Sequence, residues 1–340
     1  MPRLLNRTQA FPALLGLVLV LLSSSAFAQY SSTYLDSDLA GKAKHQDTLL
    51  KNAWGLAYAP GGAFWVSDEA SGWSTLYDGK GNKQSLEVVI PPASGSFGGT
   101  PTGMVYNGSS EFKIDTWTSV FLFDTLDGTI QGWSDFEPGN TLIAITTAGA
   151  AYTGLAITSK TTGNSLFAAD AANNKVDIYD GNFNLTGSFT DATIPSGFSV
   201  FGIQDIAGQL YVSFASTSGG PGGFIDIFKE DGTFVKRFTH GSPLNQPWGF
   251  AVAPANFGTF SGALLISNNT SAGTINAFSL TTGKLLGTLK NSAGKAITIS
   301  GLWGIEFGGG STLNGLKNQL FFTSGPSDTD GYFGVINSVH

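Results

Sequence analysis

Tyr152-Thr-Gly-Leu-Ala-Ile157, Leu166-Phe-Ala-Ala-Asp170, Val176-Asp-Ile-Tyr-Asp180 and Thr186-Gly-Ser-Phe189 follow one another along the chain. Each is a short run of apolar, β-branched or aromatic residues, with Gly, Asn, Asp and Ser filling the gaps: strands joined by turns. The first run is entered through Gly154. The same entry recurs in Asn52-Ala-Trp-Gly-Leu-Ala-Tyr58, Pro101-Thr-Gly-Met-Val-Tyr106, Val200-Phe-Gly-Ile-Gln204, Gln246-Pro-Trp-Gly-Phe-Ala-Val252 and Ser300-Gly-Leu-Trp-Gly-Ile-Glu-Phe307. The aligned glycines, Gly55, Gly103, Gly154, Gly202, Gly249 and Gly304, stand 48, 51, 48, 47 and 55 residues apart. Second runs follow each entry, as in Phe64-Trp-Val-Ser-Asp68 and Leu264-Leu-Ile-Ser-Asn268, and third runs follow those, as in Ile225-Asp-Ile-Phe228. Four strands in a unit of about fifty residues make a propeller blade. Six units predict an all-β, six-bladed β-propeller. Its inner strands converge on an axis where a side chain at the glycine would strike the neighbouring blade.

The sixth unit reaches the end of the chain soon after its third run. Thr33-Tyr-Leu-Asp-Ser-Asp-Leu39 precedes the first unit and has strand character. It is expected to pair with residues 333–336, supply the missing outer strand and close the ring.

Ahead of that strand lie Arg3 and Arg7, the short apolar run Phe11 to Leu22, and Ser23-Ser-Ser-Ala-Phe-Ala28. A basic start, a short apolar stretch and an Ala-x-Ala ending make a secretory signal peptide, and the apolar run is too short for a spanning helix. The expected organisation is therefore a leader over residues 1–28 and a single propeller domain over 29–340. The expected location is secreted or periplasmic, with no membrane insertion after cleavage. Removing Arg3 and Arg7 takes the 17 basic residues to 15 against 24 acids, a net charge of −9. Nucleic-acid binders neutralise phosphates with Lys and Arg clusters, so a nucleic-acid partner is not expected. There is no cysteine, which removes thiol catalysis and thiolate metal sites. A chain of this length buries enough core to do without disulfides.

The stretch Leu166-Phe-Ala-Ala-Asp-Ala-Ala-Asn-Asn-Lys-Val-Asp-Ile-Tyr-Asp180 resembles an NHL-type propeller repeat. Together with Asn52-Ala-Trp-Gly-Leu-Ala57, Asp127-Gly-Thr-Ile-Gln-Gly-Trp133, Gln246-Pro-Trp-Gly-Phe-Ala251, Phe257-Gly-Thr-Phe-Ser-Gly262 and Gly301-Leu-Trp-Gly304, the whole chain is similar to a family of exported bacterial six-bladed β-propellers, PEP-CTERM-associated and uncharacterised in activity. The resemblance implies the fold and export and brings no activity with it.

Chemistry is sparse. The inner-strand segments offer Asn52, Thr102, Thr153, Asn245, Gln246 and Ser300, with Asp205 and Glu306 the acids near them, a poor donor set for a catalytic metal. His45, His240 and His340 fall outside those segments and read as solvated. Asp68, Asp124, Asp170 and Asn268 read as turn residues that accept backbone N–H groups at the ends of second strands. Asp328 and Asp330 share a loop, but two acids do not make a calcium site. No nucleophile elbow, phosphate loop or metalloprotease motif occurs. No cofactor or metal is expected.

Trp54, Trp248 and Trp303 each stand directly before the inner glycine, where the other units carry Thr102, Thr153 and Phe201. The tryptophans belong to units one, five and six, which are consecutive on a closed ring, so the indoles are expected to cluster. They serve either as inter-blade packing or, opening toward the rim formed by residues 91–101, 191–198, 216–223 and 324–331, as an aromatic platform for a ligand. The expected function is a non-catalytic module that binds a glycan, peptide or protein at the channel face through Trp54, Trp248, Trp303, Phe201, Thr102 and Thr153. The alternative is a propeller-type hydrolase or lyase, lactonase-like, acting at the channel mouth.

Overall fold

The computed structural model describes residues 29–339 and Met1, so the rest of the expected leader and His340 lie outside the described residues. Six four-stranded antiparallel blades surround an axis. Their inner strands are Ala53–Tyr58, Pro101–Tyr106, Tyr152–Ile157, Phe198–Ile206, Pro247–Val252 and Leu302–Phe307. Helix is confined among the described residues to two single 3-10 turns, Gly258–Phe260 and Pro326–Asp328.

The sixth blade closes as expected. Gln29–Ser37 lies antiparallel to Tyr332–Val339, with Thr33 opposite Val335 and Asp36 opposite Phe333. The closing strand begins at Gln29, earlier than its sequence pattern suggests, and a short parallel strand, His45–Gln46, extends the sheet. Tyr30 explains the early start. Its ring is buried against Phe257 and Phe260 of blade five, and its hydroxyl donates to the Phe257 carbonyl at 2.9 Å. The strand therefore ties blade six to blade five as well as to itself.

Every inner strand is interrupted at the same place. Ala53 and Leu56 pair with Asp68 and Val66, so Trp54 and Gly55 together oppose the single residue Ser67. The same two-against-one arrangement places Thr102-Gly103 against Asp124, Thr153-Gly154 against Ala169, Phe201-Gly202 against Ser213, Trp248-Gly249 against Ser267, and Trp303-Gly304 against Thr323. A bulge of this kind leaves a ladder donor unpaired and bends the strand. In blades two, four, five and six the opposing side chain supplies the acceptor. Gly202 and Gly249 N–H groups donate to Ser213 and Ser267 hydroxyls at 2.8 Å, and Gly304 N–H to Thr323 at 2.9 Å. Ser267 and Thr323 then donate onward to the Trp303 and Trp54 carbonyls of the next blade, at 2.7 and 2.6 Å. One hydroxyl thus repairs its own blade and stitches it to its neighbour.

That stitch requires glycine. A Cβ on Gly202 would stand 2.1 Å from the Trp248 carbonyl, and one on Gly304 would stand 2.8 Å from the Trp54 carbonyl. Between the blades, aromatic and aliphatic side chains from the middle strands form the cores. Trp65 packs on Phe121 and Trp133 between blades one and two, and Phe64 on Phe321 and Phe333 between blades one and six.

Candidate functional site

The bulges aim the residue before each glycine at the axis. In the three tryptophan-bearing blades the chain also enters the inner strand alike: Asn52, Gln246 and Gly301, each two residues before its indole, have φ of 43°, 53° and 63°. The indoles come together as the sequence predicts. Trp54 and Trp303 stack with ring centroids 3.5 Å apart, and Trp248 meets both edge-on at 6.1 and 5.7 Å. Phe201, from the opposite side of the ring, abuts Trp54 and Trp303.

Their hydrogen-bond partners lie on other blades. Trp248 Nε1 donates to the Thr153 carbonyl, two blades away, at 2.7 Å, and Trp303 Nε1 donates to Asn52 Oδ1 at 3.1 Å. Trp54 Nε1 is buried without a partner. The rings of Trp54, Trp248 and Trp303 are 6, 8 and 4 % exposed, with half-buried Leu126 and Phe201 packed against them. The cluster therefore fills the lumen as a plug, and its indoles offer little surface to the rim. The two threonines are committed to the fold. Thr102 Oγ1 lies 2.7 Å from both Asp124 Oδ1 and the Tyr152 carbonyl, and Thr153 Oγ1 donates to the Phe201 carbonyl at 2.7 Å.

On the other side of the plug the channel opens. A narrow throat of about 40 Å³ is lined by the inner glycines, with Trp248 against it. It leads to a cavity of about 580 Å³ at the far ends of the inner strands, where Tyr58, Tyr106, Gln204, Asp205 and Glu306 converge. Tyr58 OH donates to the Phe307 carbonyl at 3.0 Å, which sets the phenol beside Glu306. Burial pushes the Glu306 carboxyl up to about 7. Burial, then the charge of Glu306, pushes the Tyr58 phenol up to about 12. Asp205 Oδ1 accepts from Gly208 N–H at 2.9 Å, and its carboxyl is raised by burial and by nearby Glu230. Lys160, at the same mouth, is ion-paired with Glu230.

In the sequence Asp205 and Glu306 are only acids near the inner strands, and nothing singles out Tyr58, Tyr106 and Gln204 as site residues. A signal was present. Two residues after the inner glycine, four units carry Ala57, Val105, Ala156 and Ala251, and only units four and six carry polar groups, Gln204 and Glu306.

Asp170 and Asn268 accept backbone N–H groups from Ala151 and Asn245, as turn residues do. Asp68 accepts the Thr75 hydroxyl instead. Asp124 is corrected: it is not a strand-end residue but the bulge partner of Gly103, whose N–H it accepts at 2.5 Å. His45 and His240 are exposed, and His240 stacks on Phe224. Among the described residues no group of three or more His, Asp or Glu is placed to hold a metal ion, and no helix is long and apolar enough to cross a membrane.

The ring is shared with solved propellers of diverse chemistry. It resembles a gluconolactonase from Xanthomonas campestris, at 15 % identity over 92 % of this chain and 90 % of that one, with a TM-score of 0.54. It also resembles a PQQ-bound aldose sugar dehydrogenase from Streptomyces coelicolor, at 14 % identity over 91 % and 99 %, with a TM-score of 0.55. A streptogramin B lyase gives 12 % identity, 91 % and 97 % coverage and a TM-score of 0.51. At such identities these likenesses establish the fold alone. No family model matches the chain. The expected bacterial, PEP-CTERM-associated relationship finds no support in these comparisons. Relatives come instead from Acanthamoeba polyphaga mimivirus. Uncharacterized protein R648 is 30 % identical over an alignment of 343 positions, covering 92 % of this chain and 81 % of that protein, and uncharacterized protein L690 is 31 % identical over 304, covering 82 % and 79 %. With that identity sustained around the ring, this six-bladed propeller belongs to the family that includes the mimivirus proteins R648 and L690.

Proposed function

We propose that this chain is a non-catalytic ligand-binding ring whose site is the open mouth at the far ends of the inner strands. One observation carries the reading. The channel is stoppered at one end by three indoles and widens at the other into a cavity of about 580 Å³ with converging polar and aromatic groups. A concave site with apolar walls and a few placed polar groups is what small-ligand recognition needs. The ligand classes in view are a glycan, a peptide or a small organic molecule. In the same reading residues 1–28 are a cleaved leader and the ring works in a secreted or periplasmic setting. An N-terminus at Gln29 in protein recovered from its host is the expected mass-spectrometric result.

The indole platform is the competing location, and it requires Leu126 and Phe201 to move aside. A ligand screen by NMR separates the two. Hits at the mouth weaken in Gln204→Ala and persist in Phe97→Ala, on the opposite rim. Hits that weaken only in Phe97→Ala or Trp248→Ala transfer the site to the rim and refute the mouth.

A second reading, hydrolase or lyase chemistry, is favoured by one group. A carboxyl lifted to about 7 in a cavity is poised as a general acid or base. Under it, Glu306→Gln keeps ligand affinity and loses turnover.

A further inference from the structure

Resting on the mouth as the binding site, we propose that the ligand it selects is an organic cation, an alkylammonium or quaternary ammonium group, held between the Glu306 carboxylate and the rings of Tyr58 and Tyr106. These three residues come from blades six, one and two, which are consecutive, so they form one arc of the cavity wall. Across from them stand Gln204 and Asp205 of blade four.

The charge balance of the cavity is negative. Three carboxyl groups line it, Asp205, Glu230 and Glu306, and a single lysine, Lys160. Lys160 is already paired with Glu230. Glu306 has no basic side chain acting on it, and its carboxyl is raised by burial alone. A carboxylate in such surroundings is stabilised strongly by any cation that reaches it, because removal from water leaves it only the Phe307 backbone N–H as compensation. The rings of Tyr58 and Tyr106, which line the same cavity, add attraction for a positive charge that carries its own apolar surface. A metal ion does not suit this wall. Divalent cations want several oxygen ligands converging at short range, and no group of three carboxylates or histidines is so placed among the described residues. A neutral sugar would leave Glu306 unpaired. An ammonium with alkyl substituents matches both features at once.

The pairing couples binding to one proton. Tyr58, Tyr106, Asp205, Lys160 and Glu230 are the other titratable groups at the cavity. Of these, Tyr58 is held protonated, Lys160–Glu230 is self-neutralised, and Asp205 stands on blade four across the cavity, its Oδ1 accepting from Gly208 N–H. Cation binding therefore drives ionisation of Glu306, and affinity rises from pH 6 to pH 8.

The test is calorimetry on the whole ring with tetramethylammonium, choline and n-butylammonium, and with 3,3-dimethylbutan-1-ol as the uncharged isostere of choline. At least one ammonium is expected to bind tenfold or more tightly than the isostere at pH 8. Near pH 7, runs in two buffers of different ionisation enthalpy should report release of about half a proton per ligand, as a group titrating there requires. Glu306→Gln should lower ammonium affinity at least tenfold, whereas Asp135→Asn, which removes an exposed charge elsewhere, should not. Equal binding of the isostere, an unchanged affinity in Glu306→Gln, or no binding by any of the three ammonium ions overturns the proposal. If neutral ligands still perturb Gln204 in the NMR screen, the mouth survives as a site and only the cation is lost; if nothing does, both fall.

Discussion

Replacing Asp36 by asparagine should stabilise the ring, and the gain should grow with pH. Asp36 lies in the closing strand, 1 % exposed, with both carboxyl oxygens lacking a hydrogen-bond partner. It faces Asp47, Asp78 and Lys83, and the Lys83 ammonium is committed to Asp47 at 2.8 Å and Glu87 at 2.5 Å. Burial first, then Asp47 and Asp78, pushes the Asp36 carboxyl up to about 7 from an ordinary 3.8. A raised carboxyl means the folded ring holds more protons than the unfolded chain between those values. Its contribution is most favourable below about pH 4 and is lost as pH rises to about 7. At about 1.4 kcal/mol per pH unit, linkage gives a wild-type loss between pH 5 and pH 8 of about 2–3 kcal/mol from this group. Solvent screening trims it, so we expect about 2 kcal/mol. Asparagine has nearly the same shape and does not titrate. Urea denaturation of wild type and Asp36→Asn at pH 5 and pH 8 measures the double difference, in which the other titrations cancel. A stability difference independent of pH, or one that favours wild type more strongly at pH 8, refutes the reasoning.

Tyr30→Ala should cost about 3–5 kcal/mol by emptying the aromatic contact between the closing strand and blade five, and Tyr30→Phe about 1 kcal/mol by leaving the Phe257 carbonyl unpaired; urea titration reads both. Gly202→Ala should destabilise by about 1–3 kcal/mol or more, because its Cβ meets the Trp248 carbonyl at 2.1 Å, while Gly187→Ala, whose Cβ meets nothing, should leave thermal unfolding unchanged. Acrylamide should barely quench Trp54, Trp248 and Trp303 and should quench Trp117, which is 41 % exposed, so Trp117→Phe should remove much of the accessible fluorescence. Strong quenching that survives Trp117→Phe and disappears in Trp248→Phe would show that the plug opens.

The ring was legible because its constraint repeats. A Cβ-free position is needed once per blade, and the six glycines mark it at near-constant spacing. The bulge beside each glycine was not legible, since two residues opposing one leaves no mark in hydrophobic pattern. That is why Asp124 read as a relative of Asp68 and Asp170, when its true counterparts are Ser213, Ser267 and Thr323. These share no residue type with it. They share a task, accepting the N–H that the bulge orphans, and aspartate and hydroxyl side chains both perform it. The closing strand was located correctly but begun too late, because Tyr30 reads as one aromatic among polar residues until its contacts in blade five are known.

The tryptophans show why a cluster can be read from the sequence while two consequences, packing or a platform, stay open. Three indoles on consecutive blades must meet, and they do. Whether they leave a surface depends on the lumen's width at the bulges, a quantity no spacing encodes. Stacked Trp54 and Trp303, with Trp248 reaching two blades across to the Thr153 carbonyl and Phe201 coming from the far wall, are enough to span it. The aromatic residues that line the open part of the channel are at the other end, Tyr58 and Tyr106, three positions beyond the inner glycines where the strands diverge. The plug therefore has a consequence for binding. It turns a pore into a cup, closed at one end, so that under the proposed reading a ligand approaches the Glu306 carboxyl from one side only. A charge reached from one side, with no counter-ion supplied from the other, is where a complementary ligand gains most from desolvation.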